Sequence, residues 1–207
     1  MPSEEICYPT SDGRPKADST LQFAWMVHFY NNLSLLLHHR TAFLAIDLLW
    51  YPVEGGPRIV TAPDVLVALG RPEGHRGSYQ QWKEDNQPPQ VVIEVLSPSN
   101  TPMEMMGKIA FYDRHGVEEC LVIDPDRHSL KPYVREEGKL VTPDFPPARW
   151  QSPRLGITLE TVDGELKAYL PDGSPFRSFN EIKEQAAAAE AEIERLRAKL
   201  REAGLEE

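Results

Sequence analysis

The sequence predicts an α/β fold, a mixed central sheet flanked by helices, with a separate helix at the C-terminal end. Three observations carry that expectation. Val91–Leu96 is a short, β-branched apolar run closed by Ser97-Pro98, the pattern of a buried strand. Thr101, Pro102 and Glu104 stand as N-cap, N1 and N3 of a capping box. Met105, Ile109 and Tyr112 then recur at helical spacing, and Gly116 falls where a C′ glycine belongs. Cys120–Ile123 is a further apolar run, which completes a strand–helix–strand unit.

Taken in order, residues 1–18 hold clusters of Pro, Ser, Asp and Gly and read as an irregular arm. Asp18, Ser19 and Thr20 offer N-caps to a helix running to about His39, with Leu21, Trp25, Phe29, Leu33, Leu36 and Leu37 as its apolar stripe. His28, His38 and His39 suggest a metal, but His38 and His39 point about 100° apart on a helix. No Cys or His partners follow at ligand spacing, so these histidines read as solvated or structural. Phe43–Tyr51 reads as a strand with Asp47 embedded in it, and Arg58–Leu69 as a second strand carrying Pro63-Asp64. A proline suits an edge or irregular strand position, which would let Asp64 turn toward a cleft. Asp47 reads first as structural, with a place behind the ligands or at a second metal as the alternative.

Gly70–Pro89 is a long polar insertion between strands, and loops of that length are functional or disordered more often than neutral. Arg71, His75, Arg76 and Lys83 with Tyr79 and Trp82 suit phosphates and base stacking. The alternative is a solvated lid with its aromatics tucked onto the domain. Glu94 interrupts the apolar strand, where a carboxylate is costly unless a metal, cation or donor satisfies it. Lys108 lies about two turns into the following helix, within reach of that strand's end. Asp124-Pro125-Asp126 joins two strands and reads as a β-turn. Short strands are expected at Ile157–Leu159 and Glu165–Tyr169, and nothing from 136 to 177 carries chemistry. The chain has no P-loop, nucleophile elbow, HExxH motif or dinucleotide fingerprint.

Three segments together, APDVLVALG (62–70), VVIEVLSPSN (91–100) and GKIAFYDRHGVEECLVIDPD (107–126), resemble the Uma2 family of the PD-(D/E)XK nuclease superfamily. The resemblance runs from about Ser11 to Val134. It implies a restriction-endonuclease-like core over 1–177, followed by a helix over 178–207. It also implies a divalent metal held by Asp64 and Glu94, and a catalytic set of Asp64, Glu94 and Lys108. In that superfamily the lysine usually stands two residues after the glutamate, where this chain has Leu96. Uma2-like proteins are understood to supply it from the following helix, at the position of Lys108. Many members are acidic where this chain has Gln90, a departure that spares the metal site because Gln90 precedes the strand. Two carboxylates and a main-chain carbonyl near Val95 form a hard oxygen site suited to Mg²⁺ or Mn²⁺. The function implied is a metal-dependent endonuclease acting on DNA. An inactive nuclease-fold module that works by protein or nucleic-acid binding is the alternative, and hydrolysis of another phosphate ester is not separable by sequence.

Composition bounds these readings. With 207 residues, 41% of them hydrophobic, one domain plus an appendage is expected. A net charge of −10 argues against strong sequence-independent nucleic-acid binding through a basic face. A bound divalent cation reverses that field locally. Cys7 and Cys120 make no disulfide framework, which points to a reducing cytoplasm, and no apolar stretch reaches the roughly 18 residues of a membrane span. Near the end, Ser178 and Glu181 form a capping-box pair. Phe179, Ala186, Ile193 and Leu200 then fall at heptad position a, and Ile182, Ala189 and Leu196 at d. In a parallel pair Glu192 would face Arg197 of the second strand. A homodimer through this helix and contacts of the domain is expected, against the alternative of a helix lying on its own domain.

Overall fold

In the computed structural model, which describes residues 6–11, 13, 19–144 and 147–202, the first helix begins where Ser19 accepts a hydrogen bond from the Gln22 N–H. Helix α1 spans Thr20–Leu37. Its buried positions are Gln22, Met26, Phe29, Asn32, Leu33 and Leu37. Phe29, Leu33 and Leu37 are the expected ones, but in the first turns Gln22 and Met26 take the inward places expected of Leu21 and Trp25, and Leu21 is 43% exposed. Gln22 is the reason. Its amide has partners inside the domain, and that holds a polar side chain on the face hydropathy assigns to apolar ones. The candidate cap Asp18, and most of the expected irregular arm, lie outside the described residues.

The two long strands expected next are each shorter. β1 is Ala42–Ile46 and β2 is Trp50–Tyr51, separated by Asp47 in the left-handed region at φ 47°, which a short polar residue tolerates better than a β-branched one. The Asp47 N–H donates to the carbonyl of Asp64 at 3.2 Å. β3 covers only Val65–Leu69, because Pro63 has no N–H for a ladder and Asp64 turns out of line before it. Thr61 instead forms a single bridge to Trp50.

Within the insertion, β4 (Tyr79–Gln80) pairs with β2 and a 3₁₀ turn follows at Gln81–Lys83. Tyr79 is fully buried and its hydroxyl donates to the Gln87 carbonyl at 2.8 Å. The Arg76 guanidinium lies 3.9 Å over the Phe43 ring and pairs with Glu84 at 2.6 Å. Trp82 packs its ring against Tyr8, and Arg71 pairs with Asp85. The insertion is thus packed: Arg76 and Tyr79 hold it to Phe43 of β1, Trp82 packs on Tyr8, and Arg71 is paired within the insertion itself.

β5 (Val91–Val95), α2 (Pro102–Arg114), β6 (Glu119–Asp124), β7 (Ser129–Glu136) and β8 (Lys139–Val141) complete a six-stranded sheet in the order β1-β3-β5-β6-β7-β8. Only β5 and β6 run parallel among its pairs, joined through α2, so the sheet is mixed. The Thr101 side chain accepts from the Glu104 N–H and the Glu104 carboxylate accepts from the Thr101 N–H, a complete capping box. Gly116, at φ 90°, takes the left-handed step that ends α2. Gln90 bridges strands instead of serving the site: its side-chain oxygen accepts from the Leu69 N–H at 2.7 Å. Asp124 accepts from the Arg127 N–H at 3.0 Å, so the acidic Asp-Pro-Asp stretch is a turn.

A second, antiparallel sheet holds β9 (Arg149–Gln151), β10 (Thr158–Val162) and β11 (Glu165–Tyr169) in the order β11-β10-β9. β9, like β4 and β8, is a short strand the sequence pattern does not reveal. Glu119, fully buried on β6, ties this region to the main sheet by accepting from Ser152 Oγ at 2.6 Å and Trp150 Nε1 at 3.2 Å. Burial pushes the Glu119 carboxyl above its usual 4.5, and its hydrogen bonds from Ser152, Trp150 and the Arg154 N–H only partly oppose this. A group whose proton is held more tightly in the folded chain contributes stability that is complete below its ordinary value and is lost as pH rises through the raised one. Glu119→Gln has no such titration. Its melting temperature relative to the parent is expected to climb as pH rises from 4.5 through the raised value; a difference that stays level contradicts this account of the carboxyl.

By chain contacts, Met1–Pro175 forms one unit and Phe176–Glu207 another. The second contains α3 (Phe179–Glu202), opened by the reciprocal pair of Ser178 and Glu181, with Ile193 and Leu196 each 49% exposed and Leu200 40% exposed. The Phe179 side chain and residues 203–207 lie outside the described residues.

Candidate active site

Successive residues of a strand face opposite sides of the sheet, so Glu94 shares the face of Val92, which belongs to the core cluster that includes Tyr112 of α2. Glu94 is 1% exposed. On α2, Lys108 and Tyr112 are four residues apart and lie on one face, and both meet this carboxylate. Lys108 Nζ donates to Glu94 Oε2 at 2.6 Å and to the Ala62 carbonyl at 3.3 Å, while the Tyr112 hydroxyl donates to Glu94 Oε1. Asp64, buried at the entrance to β3, accepts from the Val95 N–H through Oδ2 at 2.6 Å. The Val95 carbonyl accepts from Gln22 Nε2 at 2.9 Å, and the same nitrogen is 3.5 Å from Asp64 Oδ2. Four elements therefore converge on the C-terminal end of β5: the start of α1, the loop before β3, β5 itself and α2.

The electrostatics follow from burial. Desolvation pushes the Glu94 carboxyl up to about 7, the nearby Asp64 charge adds to that, and Lys108 and Tyr112 oppose it. For Lys108, burial acts to lower the pKa, but the charges of Glu94 and Asp64 outweigh it and leave the ammonium raised. Burial and then Glu94 hold the Tyr112 phenol well above its usual range, so it stays a neutral donor. Lys108 is thus a firmly held cation. Glu94 is a carboxyl whose ionised form is expensive without more positive charge beside it, and a divalent cation would supply that charge.

Asp64, Glu94, Lys108 and Val95, the residues singled out in the sequence, are brought together here. Asp47 is tied to Asp64 through its backbone. His38 and His39 are exposed beyond the end of α1, away from these groups in the chain's order of elements. Two contributors escape the sequence reading. Tyr112 passes for a member of an apolar stripe, although its spacing from Lys108 signals that both reach one target. Gln22 has no signal at all, being a single amide in an amphipathic helix. Among the described residues no three His, Cys, Asp or Glu side chains cluster as metal ligands. The donor set is two carboxylates with neutral oxygens, which fits a hard divalent cation bound with some of its waters kept.

The sequence profile of the Uma2 family, described as "Putative restriction endonuclease", matches residues 18–168. The chain belongs to the Uma2 family. The span matched to the Uma2 family holds every residue of the candidate site described above, from Gln22 to Tyr112, and ends before α3. A solved structure titled as "a putative nuclease belonging to DUF820" from Anabaena variabilis shares the fold of this Uma2 chain. The TM-score is 0.51 at 18% identity, over 71% of this chain and 82% of that one. No curated protein sequence matches the chain.

Proposed function

We propose that this Uma2 protein is a divalent-metal-dependent endonuclease that hydrolyses DNA phosphodiester bonds. The observation that carries the reading is a buried carboxylate, Glu94, held between the Lys108 ammonium and the Tyr112 hydroxyl beside a second carboxylate, Asp64. Asp64, Glu94 and the Val95 carbonyl are the groups that would hold Mg²⁺ or Mn²⁺. Bound there, the cation supplies a water of lowered pKa and polarises a phosphoryl oxygen. Lys108 places its ammonium next to those ligands, where it stabilises negative charge developing on the attacked phosphate. Tyr112 fixes the Glu94 carboxylate in one orientation, so the ligand does not reorganise during the reaction. Sheet and helix packing exclude water around Glu94, which strengthens each of these interactions.

The net charge of −10 supports a second reading, a nuclease-fold module without activity that acts by binding protein or nucleic acid. Supercoiled plasmid incubated with the protein and Mn²⁺ separates the two. The endonuclease reading expects nicked and then linear product that disappears with chelator; plasmid left supercoiled at stoichiometric protein overturns it.

α3 extends the proposal to assembly. Ile193, Leu196 and Leu200 form an exposed apolar seam at heptad spacing, which supports pairing with the α3 of a second copy. About three heptads are marginal alone, so contacts of the folded domain would contribute. Sedimentation at micromolar concentration is expected to show a dimer that weakens on Ile193→Glu, and a parent chain that sediments as a monomer contradicts the pairing. No helix among the described residues is long and apolar enough to cross a membrane, and Cys7 and Cys120 are both free thiols. Those thiols suit a reducing cytoplasm, where we place the protein.

A further inference from the structure

We infer that Gln22 is a ligand of the divalent cation, turning its amide so that an oxygen replaces the nitrogen that now faces Val95 and Asp64; this rests on the metal site proposed above. The amide is 5% exposed in a row shared with Met26, Phe29, Leu33 and Leu37. The other buried polar side chain there, Asn32, donates back to the His28 carbonyl of its own helix, whereas Gln22 reaches out to other elements. A buried amide in such a row costs free energy unless its hydrogen-bonding capacity is used. Its nitrogen is 2.9 Å from the Val95 carbonyl and 3.5 Å from Asp64 Oδ2, so it bonds two of the three groups assigned to the metal.

Each of those three groups is bonded by a donor of the chain itself. Asp64 receives the Val95 N–H, Glu94 receives Lys108 and Tyr112, and the Val95 carbonyl receives Gln22. A cation entering among these oxygens replaces donors. The Val95 N–H and the Lys108 ammonium have no oxygen to offer, and Tyr112 is committed to Glu94 Oε1. Gln22 alone carries donor and acceptor on one planar end. A half-turn about its last torsion exchanges them without moving the helix or changing the space filled. The same group then closes the site when it is metal-free and ligates when it is loaded.

Charge supports an amide at this place. Asp64 and Glu94 supply two negative charges, the match for one divalent cation. A third carboxylate in the metal-free chain would add repulsion beside Asp64 and face a carbonyl oxygen. A neutral oxygen adds a ligand without that cost, and hard cations accept amide oxygens readily.

Two variants test this, read by calorimetric Mn²⁺ titration and by melting without metal. Gln22→Met keeps length and suits the apolar row, and is expected to melt cooperatively while binding Mn²⁺ about tenfold or more weakly. Gln22→Glu is expected to bind Mn²⁺ at least as tightly as the parent while its metal-free form melts lower. Unchanged affinity in Gln22→Met, or weakened affinity in Gln22→Glu, shows a donor that only braces the Val95 carbonyl and overturns the inference while leaving the metal site standing. A parent chain that takes up no Mn²⁺ overturns the metal site and the inference together.

Discussion

Glu94→Gln is expected to abolish Mn²⁺ binding and leave the fold in place. The substitution keeps the shape of the side chain and an oxygen for Lys108 or Tyr112 to bond, but it removes the anionic ligand from the centre of the site. Two terms oppose each other in stability. Losing the ion pair with Lys108 at 2.6 Å is unfavourable. Losing a carboxylate that is 1% exposed, and whose burial already pushes its pKa up to about 7, is favourable. Replacement of buried ion pairs is often close to neutral for that reason, and Lys108 keeps the Ala62 carbonyl and the charge of Asp64. No such compensation exists for the metal, since the remaining oxygens carry a single negative charge. Electron paramagnetic resonance of free Mn²⁺ against protein concentration, with a melting curve of the same sample, reads both. Undiminished Mn²⁺ uptake by a folded Glu94→Gln chain removes Glu94 from the site.

Lys108→Ala separates chemistry from binding. The ammonium donates to Glu94 and to Ala62, and no cation contributes an oxygen to a metal, so the variant is expected to retain Mn²⁺. Plasmid hydrolysis is expected to fall by roughly two to three orders of magnitude, the usual effect of removing one preorganised group that stabilises transition-state charge. The metal-free variant will be less stable, because Glu94 loses its cationic partner in a buried setting. Rates are therefore compared at saturating Mn²⁺, where the cation restores positive charge beside Glu94. A variant that binds Mn²⁺ and cleaves at the parent rate would make Lys108 a structural partner of Glu94 and nothing more.

What the sequence discloses and what it hides follow one division. α2 is legible because its signals are local: a capping box, a proline at the first turn and a closing glycine act within a few residues of one another. β5 is legible because β-branched residues bounded by Ser-Pro leave few alternatives, and Glu94 is conspicuous as the charge inside it. Asp64 and Lys108 stand out only beside Glu94, through the family resemblance of the three segments. The break at Asp47 is hidden because the apolar run continues through it, and there a positive φ goes with a backbone bond to Asp64, a residue distant in sequence. The break before β3 is signalled only by Pro63. Arg76 and Tyr79 illustrate the same limit. Their types suit a phosphate and a base as well as they suit Glu84, the Phe43 ring and the Gln87 carbonyl, and only the folded chain decides. Gln22 is the furthest case. A polar residue on the inward face of a helix shifts the apparent stripe by one position, and its partners come from segments more than forty residues away.

The measurement that bears most directly on the proposed site is calorimetric titration of the parent protein with Mn²⁺, followed by the same titration of Asp64→Asn. The account predicts one cation per chain in the parent and none in the variant, since Asp64 and Glu94 are the two anionic groups at the end of β5. A parent protein that takes up no Mn²⁺, or an Asp64→Asn chain that takes it up equally well, would contradict it.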